Sequence, residues 1–300
     1  MEGENNDMLR KVILLSLVFI ITGCVVVYAD EPEEVVIQTV ENDDFAMDYI
    51  RFGQGEEILV ILPGLSVQSV LDSAEAIVEA YQPLADDFTI CLFDRRKELP
   101  EDYSMQEMAR DTAEAIQLAG LDDIDLFGVS QGGMIAMEIA IEHPELVKKM
   151  VLGSVSSCET KELERVLDQW IKLAEDRDAE GLYQSFGETL YPEEVYEQSK
   201  EILTEAAKTV TDEDLDRFII LANSMKGFDI TDELTEITCP VLLIGSEDDR
   251  ALGADATYQI ADHLNGKPGF ELYMYDGYGH AAYDTAPDYK ERLADFLMKE

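Results

Sequence analysis

The sequence predicts an α/β fold: a doubly wound, mostly parallel sheet with an inserted helical cap. Three observations carry that expectation. Continuous apolar runs such as EILVIL, FTICLF and VLLIG have the composition of strands buried on both faces of a parallel sheet. Segments with helical spacing alternate with them, which implies right-handed crossovers. The alternation then breaks once, over residues 156–236, where three helical patterns follow one another without a strand between them. A helical block between two strands of one sheet reads as a cap. The expected organisation is a leader or membrane anchor over 1–29, a sheet core over 30–155 and 237–300, and the cap over 156–236.

The elements follow in order. EVVIQTV and FAMDYIRFG read as a strand pair, and EILVILPG as the first buried strand. SVQSVLDSAEAIVEAYQPL has helical spacing, and FTICLFD is a second buried strand. SMQEMARDTAEAIQLAG is a helix with Ser104 as N-cap and Gly120 as terminator. DIDLFGV is a strand, QGGMIAMEIAIEH a helix and VKKMVLGSV a strand. After the cap come the strand CPVLLIG, the helix ATYQIADHLNG, the strand FELYMYDG and a last helix, DYKERLADFLMKE.

The first residues read as a targeting segment. Arg10 and Lys11 precede an apolar run from Val12, a basic region followed by a hydrophobic one. ITGC, ending at Cys24, resembles the lipobox of bacterial lipoproteins, which implies a diacylglyceryl group on Cys24. Two alternatives stand beside it. VYA before Asp30 offers a signal-peptidase site, and Val12 to Ala29 is just long enough for a retained anchor. All three put the folded body outside the cytoplasm, attached to membrane only through its N-terminus or released.

The chain has 65 acidic residues against 22 basic ones, a formal net charge of -43. Such a surface argues against nucleic acid and anionic membrane as partners. No acidic run resembles an oxygen-ligand calcium loop, and no Cys/His spacing suits zinc, so no metal is expected. With Cys24 set aside, Cys91, Cys158 and Cys239 form no even disulfide framework.

LFGVSQGGMIA sets Ser130 between Gly128 and Gly132, after a strand pattern and before a helix pattern. That context is a nucleophile elbow, where the glycines let backbone pass close by. A serine hydroxyl needs a base and a group to orient that base. Of three histidines, His143 and His263 lie near helix C-termini, where a cation is favoured by the dipole. His280, in YDGYGHAAYDTAP, follows a strand in a glycine-rich loop and is the candidate base. The orienting carboxylate is one of Glu247, Asp248 and Asp249, after VLLIGS.

FGVSQGGMIAMEIAIEHPELVKKMVLGS, VLLIGSEDD and GYGHAAYDTAPDY together resemble the α/β-hydrolase superfamily in its capped branch, over about residues 45–300. The resemblance implies a triad in the order Ser, Asp, His. The family spacing of three residues after Gly245 selects Asp248. It also implies an oxyanion hole made by the backbone N–H groups of Gln131 and Leu65, the latter in LPGLS. Two departures stand out: Pro63-Gly64 replaces the family's frequent His-Gly, and FDRRKELPEDYS lacks the family's usual glycines. The reading that this resemblance implies is a serine hydrolase cleaving an ester or related acyl bond of a small-molecule substrate without metal or organic cofactor. The alternatives are a proline-iminopeptidase-like peptidase, a carbon–carbon bond hydrolase, and a non-catalytic ligand-binding protein on the same fold.

Overall fold

The computed structural model describes residues 35–299, so the targeting segment and Cys24 lie outside the described residues. One eight-stranded sheet runs in the order β1-β2-β4-β3-β5-β6-β7-β8. The antiparallel strands β1 (Ile37–Glu41) and β2 (Ala46–Phe52) form one edge, and β2 also runs antiparallel to β4 (Phe88–Arg96). From β4 onward the pairs are parallel: β3 (Glu57–Leu62), β5 (Ile124–Val129), β6 (Val147–Gly153), β7 (Val241–Ser246) and β8 (Phe270–Tyr275). The apolar runs are strands because both faces are covered; every residue of β5 and β7 is buried.

Chain order turns back at β3, which lies between β4 and β5. In open α/β sheets the crevice for ligands forms outside the carboxyl ends of the strands at such a switch point. The loop after β3 and the turn after β5 therefore meet at one place.

The helices of the core are α1 (Ala74–Tyr81), α2 (Met105–Leu118) and α3 (Gln131–Glu142). Ser104 opens α2 with a reciprocal capping box to Glu107, and Gly120 takes φ +73 after its end. The helical pattern over 66–84 yields a shorter helix than expected. Ser69 Oγ is drawn to Asp94 Oδ2 (2.6 Å) and accepts from the Leu71 N–H, so 3-10 turns flank α1 instead of an extended helix.

Between β6 and β7 lie α4 (Lys161–Glu175), α5 (Ala179–Leu190), α6 (Glu193–Ala207) and α7 (Asp212–Asn223). The first pattern breaks in two at Arg177, which has φ 60, and Asp178 then caps α5 through the Gly181 N–H at 2.9 Å. Trp170 and Phe186 stack at 3.9 Å and Phe218 meets Phe186 edge-on at 5.7 Å, joining α4, α5 and α7. The chain closes with α8 (Ala254–Leu264), α9 (Ala282–Thr285) and α10 (Tyr289–Leu297). No helix among the described residues is long and apolar enough to cross a membrane.

Candidate active site

β5 ends at Val129, and Ser130 turns the chain into α3 with φ 52 and ψ -122. A non-glycine residue in this sparsely populated region stores strain, which persists only where the surroundings over-determine it. Here they do. The Ser130 N–H donates to the Gly153 carbonyl at 2.9 Å, and the Ser130 carbonyl accepts from Gly133 and Met134. The glycines are obligatory for contact reasons. A Cβ on Gly132 would lie 2.1 Å from the Leu62 carbonyl oxygen and 2.4 Å from that of Pro63. One on Gly128 would lie 2.5 Å from the Gly132 oxygen. The helix start is thus pressed against the end of β3.

His280 follows the β8 loop and is 2 % exposed. Its Nδ1 lies 2.9 Å from Asp249 Oδ2, and its backbone carbonyl accepts from Ser154 Oγ at 2.6 Å. Burial pushes the Asp249 carboxyl up. The His280 ring beside it and the N–H groups of Leu252 and Ala251 outweigh that, holding it below the usual carboxylate range. The other histidines stand elsewhere: His143 ends α3 near Glu145 (3.6 Å), and His263 Nδ1 meets the Gln259 carbonyl at 2.8 Å.

The expected carboxylate, Asp248, does not face His280; Asp249 does. Pairing with β8 runs past Gly245 through Ser246, and the Glu247 N–H still reaches the Tyr275 carbonyl, so the turn begins one residue later than the family spacing assumes. Asp248 is captured by its own neighbourhood. It accepts from Ser246 Oγ (2.8 Å) and from the N–H groups of Gly277 and Gly279 (3.1 Å each), bracing the loop that carries His280.

Ser130 and His280 line one cavity of about 110 Å³ under the cap, with no hydrogen bond between them among the described residues. Such bonds are often loose before substrate arrives. Leu65 lines the same cavity, and Gln131 occupies the first turn of α3. No hydrogen bond among the described residues engages the backbone N–H of either. Trp170, Tyr183 and Phe186 of the cap close the cavity, whereas Tyr191 and Phe218 pack away from it. Among the described residues, Asp72 and Asp284 are its carboxylates and no lysine or arginine lines it. Burial, then Asp94 and Asp214, raise the Asp72 carboxyl. No group of three or more His, Cys, Asp or Glu side chains among the described residues could hold a metal ion.

The family model of the α/β hydrolase fold matches residues 57–287. The chain belongs to the α/β-hydrolase family. Its curated relatives include a provisional carbamate hydrolase, RutD, of Agrobacterium fabrum, 27% identical over 226 residues, covering 72% of this chain and 85% of that protein. The RutD of Caulobacter vibrioides is 25% identical over 252 residues, 81% of this chain and 91% of that protein. Among solved structures, the α/β hydrolase MGS-M2 from a Medee basin deep-sea metagenome library superposes with a TM-score of 0.77 at 22% identity, over 88% of this chain and 98% of that one. The enol-lactonase of Burkholderia xenovorans gives 0.73 at 13%, over 87% and 100%. At these identities the superpositions speak for the fold.

The sequence reading missed a group beside the elbow. Arg95 and the Gln131 side chain form a buried pair, and Gln131 Nε2 reaches the Leu221 carbonyl of α7 at 2.7 Å. The sequence signal is FDRRK, at the end of β4, where the family's usual glycines are lacking from the segment that follows.

Proposed function

We propose that this hydrolase cleaves an ester or related acyl bond of a small substrate through an acyl-enzyme on Ser130. The observation that carries the reading is a strained serine opening into the same cavity as a buried histidine whose Nδ1 is already held by a carboxylate. With Nδ1–H donated to Asp249, Nε2 is left as the base. Nε2 takes the Ser130 proton as Oγ bonds to the acyl carbon. The oxyanion is held by the N–H groups of Leu65 and Gln131. His280 then protonates the leaving group, and water repeats the sequence to release the acid. Asp249 orients the ring and stabilises the imidazolium.

Ser130→Ala is the direct test. It abolishes both labelling by a fluorophosphonate probe and turnover of p-nitrophenyl esters, with the fold retained by circular dichroism. Labelling that survives in Ser130→Ala sinks the assignment. A second reading, a carbamate as substrate, is supported by the likeness to proteins named RutD over 72% of the chain. It uses the same groups, and matched p-nitrophenyl esters and carbamates separate the two.

The body acts outside the cytoplasm in this reading, held to membrane by lipid on Cys24. Cys24→Ser then moves the protein out of the membrane fraction. Unchanged fractionation favours a retained apolar anchor instead.

A further inference from the structure

A guanidinium is buried one layer behind the site. Arg95 is 5% exposed, at the end of β4, and no carboxylate among the described residues forms an ion pair with its side chain. Burying a cation without a directly paired carboxylate is expensive. Burial lowers its pKa to about 10 against the raising effect of the neighbouring Asp94, which leaves it charged at neutral pH. The hydrogen bonds of the guanidinium all go to two neutral oxygens, while the backbone N–H donates to Asp94 Oδ1 at 2.7 Å. Nη2 donates to the Pro63 carbonyl at 2.7 Å, and Nε and Nη2 donate to Gln131 Oε1 at 3.3 and 3.2 Å.

Those two oxygens belong to the two arms of the oxyanion hole. Pro63 begins the loop that presents the Leu65 N–H, and Gln131 is the residue whose own N–H is the other donor. The intervening Gly64 lies close to the nucleophile: a Cβ there would come within 3.3 Å of Ser130 Cβ. A side chain there would crowd the nucleophile, and glycine leaves the torsions before Leu65 free. A donor aimed through a free torsion is poorly preorganised unless the peptide on the other side is fixed. Arg95 fixes it, by clamping the Pro63 carbonyl to the side chain of Gln131. Gln131 is anchored in turn, donating from Nε2 to the Leu221 carbonyl (2.7 Å) and to Ser224 Oγ (3.3 Å) in and just after α7 of the cap.

We propose that Arg95 is a positioning residue that holds the Leu65 and Gln131 N–H groups in register as one oxyanion hole, with the Gln131 side chain linking that hole to the cap. The proposal rests on the reading of Ser130 as nucleophile. It accounts for Pro63 in this chain, since a clamped carbonyl does not need a neighbouring side chain to shape the loop.

The test uses the full chain with active sites titrated by fluorophosphonate. Arg95→Lys keeps the charge but cannot bridge both oxygens with a planar fork. Its kcat falls by about 10- to 100-fold while KM changes less than about threefold. The inhibition constant of a trifluoromethyl ketone, whose hemiketal carries an oxyanion, rises in step with the loss of kcat. Gln131→Met, which keeps the backbone N–H and removes the shared acceptor, has a similar effect, and the double variant is less than additive. Guanidinium ion added to Arg95→Ala restores part of kcat; where that variant does not fold, the lysine and methionine variants carry the test. A kcat and ketone affinity unchanged in folded Arg95→Lys and Gln131→Met overturn the proposal while leaving Ser130 in place. A wild-type chain inert to the fluorophosphonate overturns the nucleophile and the proposal together.

Discussion

Two adjacent aspartates divide the work at the histidine loop. Asp249 is the one in contact with the ring, and Asp248 ties the loop backbone through Gly277 and Gly279. Their substitutions therefore differ in kind. Asp249→Asn presents an amide to Nδ1, favours the wrong tautomer and lowers kcat by about a thousandfold or more, with little change in melting temperature. Asp248→Asn leaves the ring's partner in place. It weakens the loop's hydrogen bonds, lowering stability by about 1–3 kcal/mol with kcat reduced far less. Parallel kinetics and thermal unfolding of the two variants check the division; the opposite ranking of kcat returns the orienting role to Asp248.

At the scale of the element, β5 shows what full burial imposes on a strand. It is buried along its whole length, yet it carries Asp125, whose two carboxylate oxygens have no hydrogen-bond partner among the described residues. Burial raises its pKa to about 6, against the lowering effect of Lys148 and Lys149. The sign follows from linkage. Below the ordinary carboxylate pKa the group is neutral in both states and costs nothing electrostatically. As pH rises to about 6 the unfolded chain ionises first, so stability is lost across that window and the penalty is complete above it. Asp125→Asn is expected to gain about 1–2 kcal/mol at about pH 8, after discounting for solvent screening, and close to nothing at about pH 4. Urea unfolding at both pH values measures it; a gain of equal size in acid would mean that the effect is not one of charge. The cap helices answer to a different demand. They stack Trp170 and Phe186 over the cavity and reach the elbow through Gln131, so they shape the pocket as well as cover it.

For the molecule as a whole, a net charge of -43 repels anions from every side. The cavity adds to this locally. Asp72 and Asp284 line it. Lys290, over the Tyr81 ring at 5.2 Å, acts on Asp284, while Arg95 is engaged with Pro63 and Gln131, Arg96 with Asp111 and Arg250 with the Tyr191 carbonyl. Neutral acyl esters are therefore expected to exceed carboxylate-bearing esters of the same size in kcat/KM. The part of the gap due to the global field shrinks as salt rises and the Debye length falls toward about 8 Å. Matched p-nitrophenyl esters at low and high salt provide the measurement, and a preference for the anion would show a local cation outweighing the field.

Local chemistry alone was enough for the strand and helix order, for the turn that carries Ser130 and for the loop that brings His280 to the same cavity. Each rests on a pattern contained in a few consecutive residues: an apolar run between polar turns, a serine between two glycines, a histidine in a glycine-rich loop after a strand. Folding decided what depends on pairing between distant segments. The strand order placed the β3 loop beside the β5 turn. One further residue of pairing between β7 and β8 set Asp249, and not Asp248, against the His280 ring. The link from Arg95 to Pro63 and Gln131 spans 32 and 36 residues, and the link from Gln131 to Leu221 spans 90. Nothing in the residues flanking any of these groups names its partner, because a hydrogen bond across the fold is set by where the chain returns in space and by which polar group is left there to satisfy.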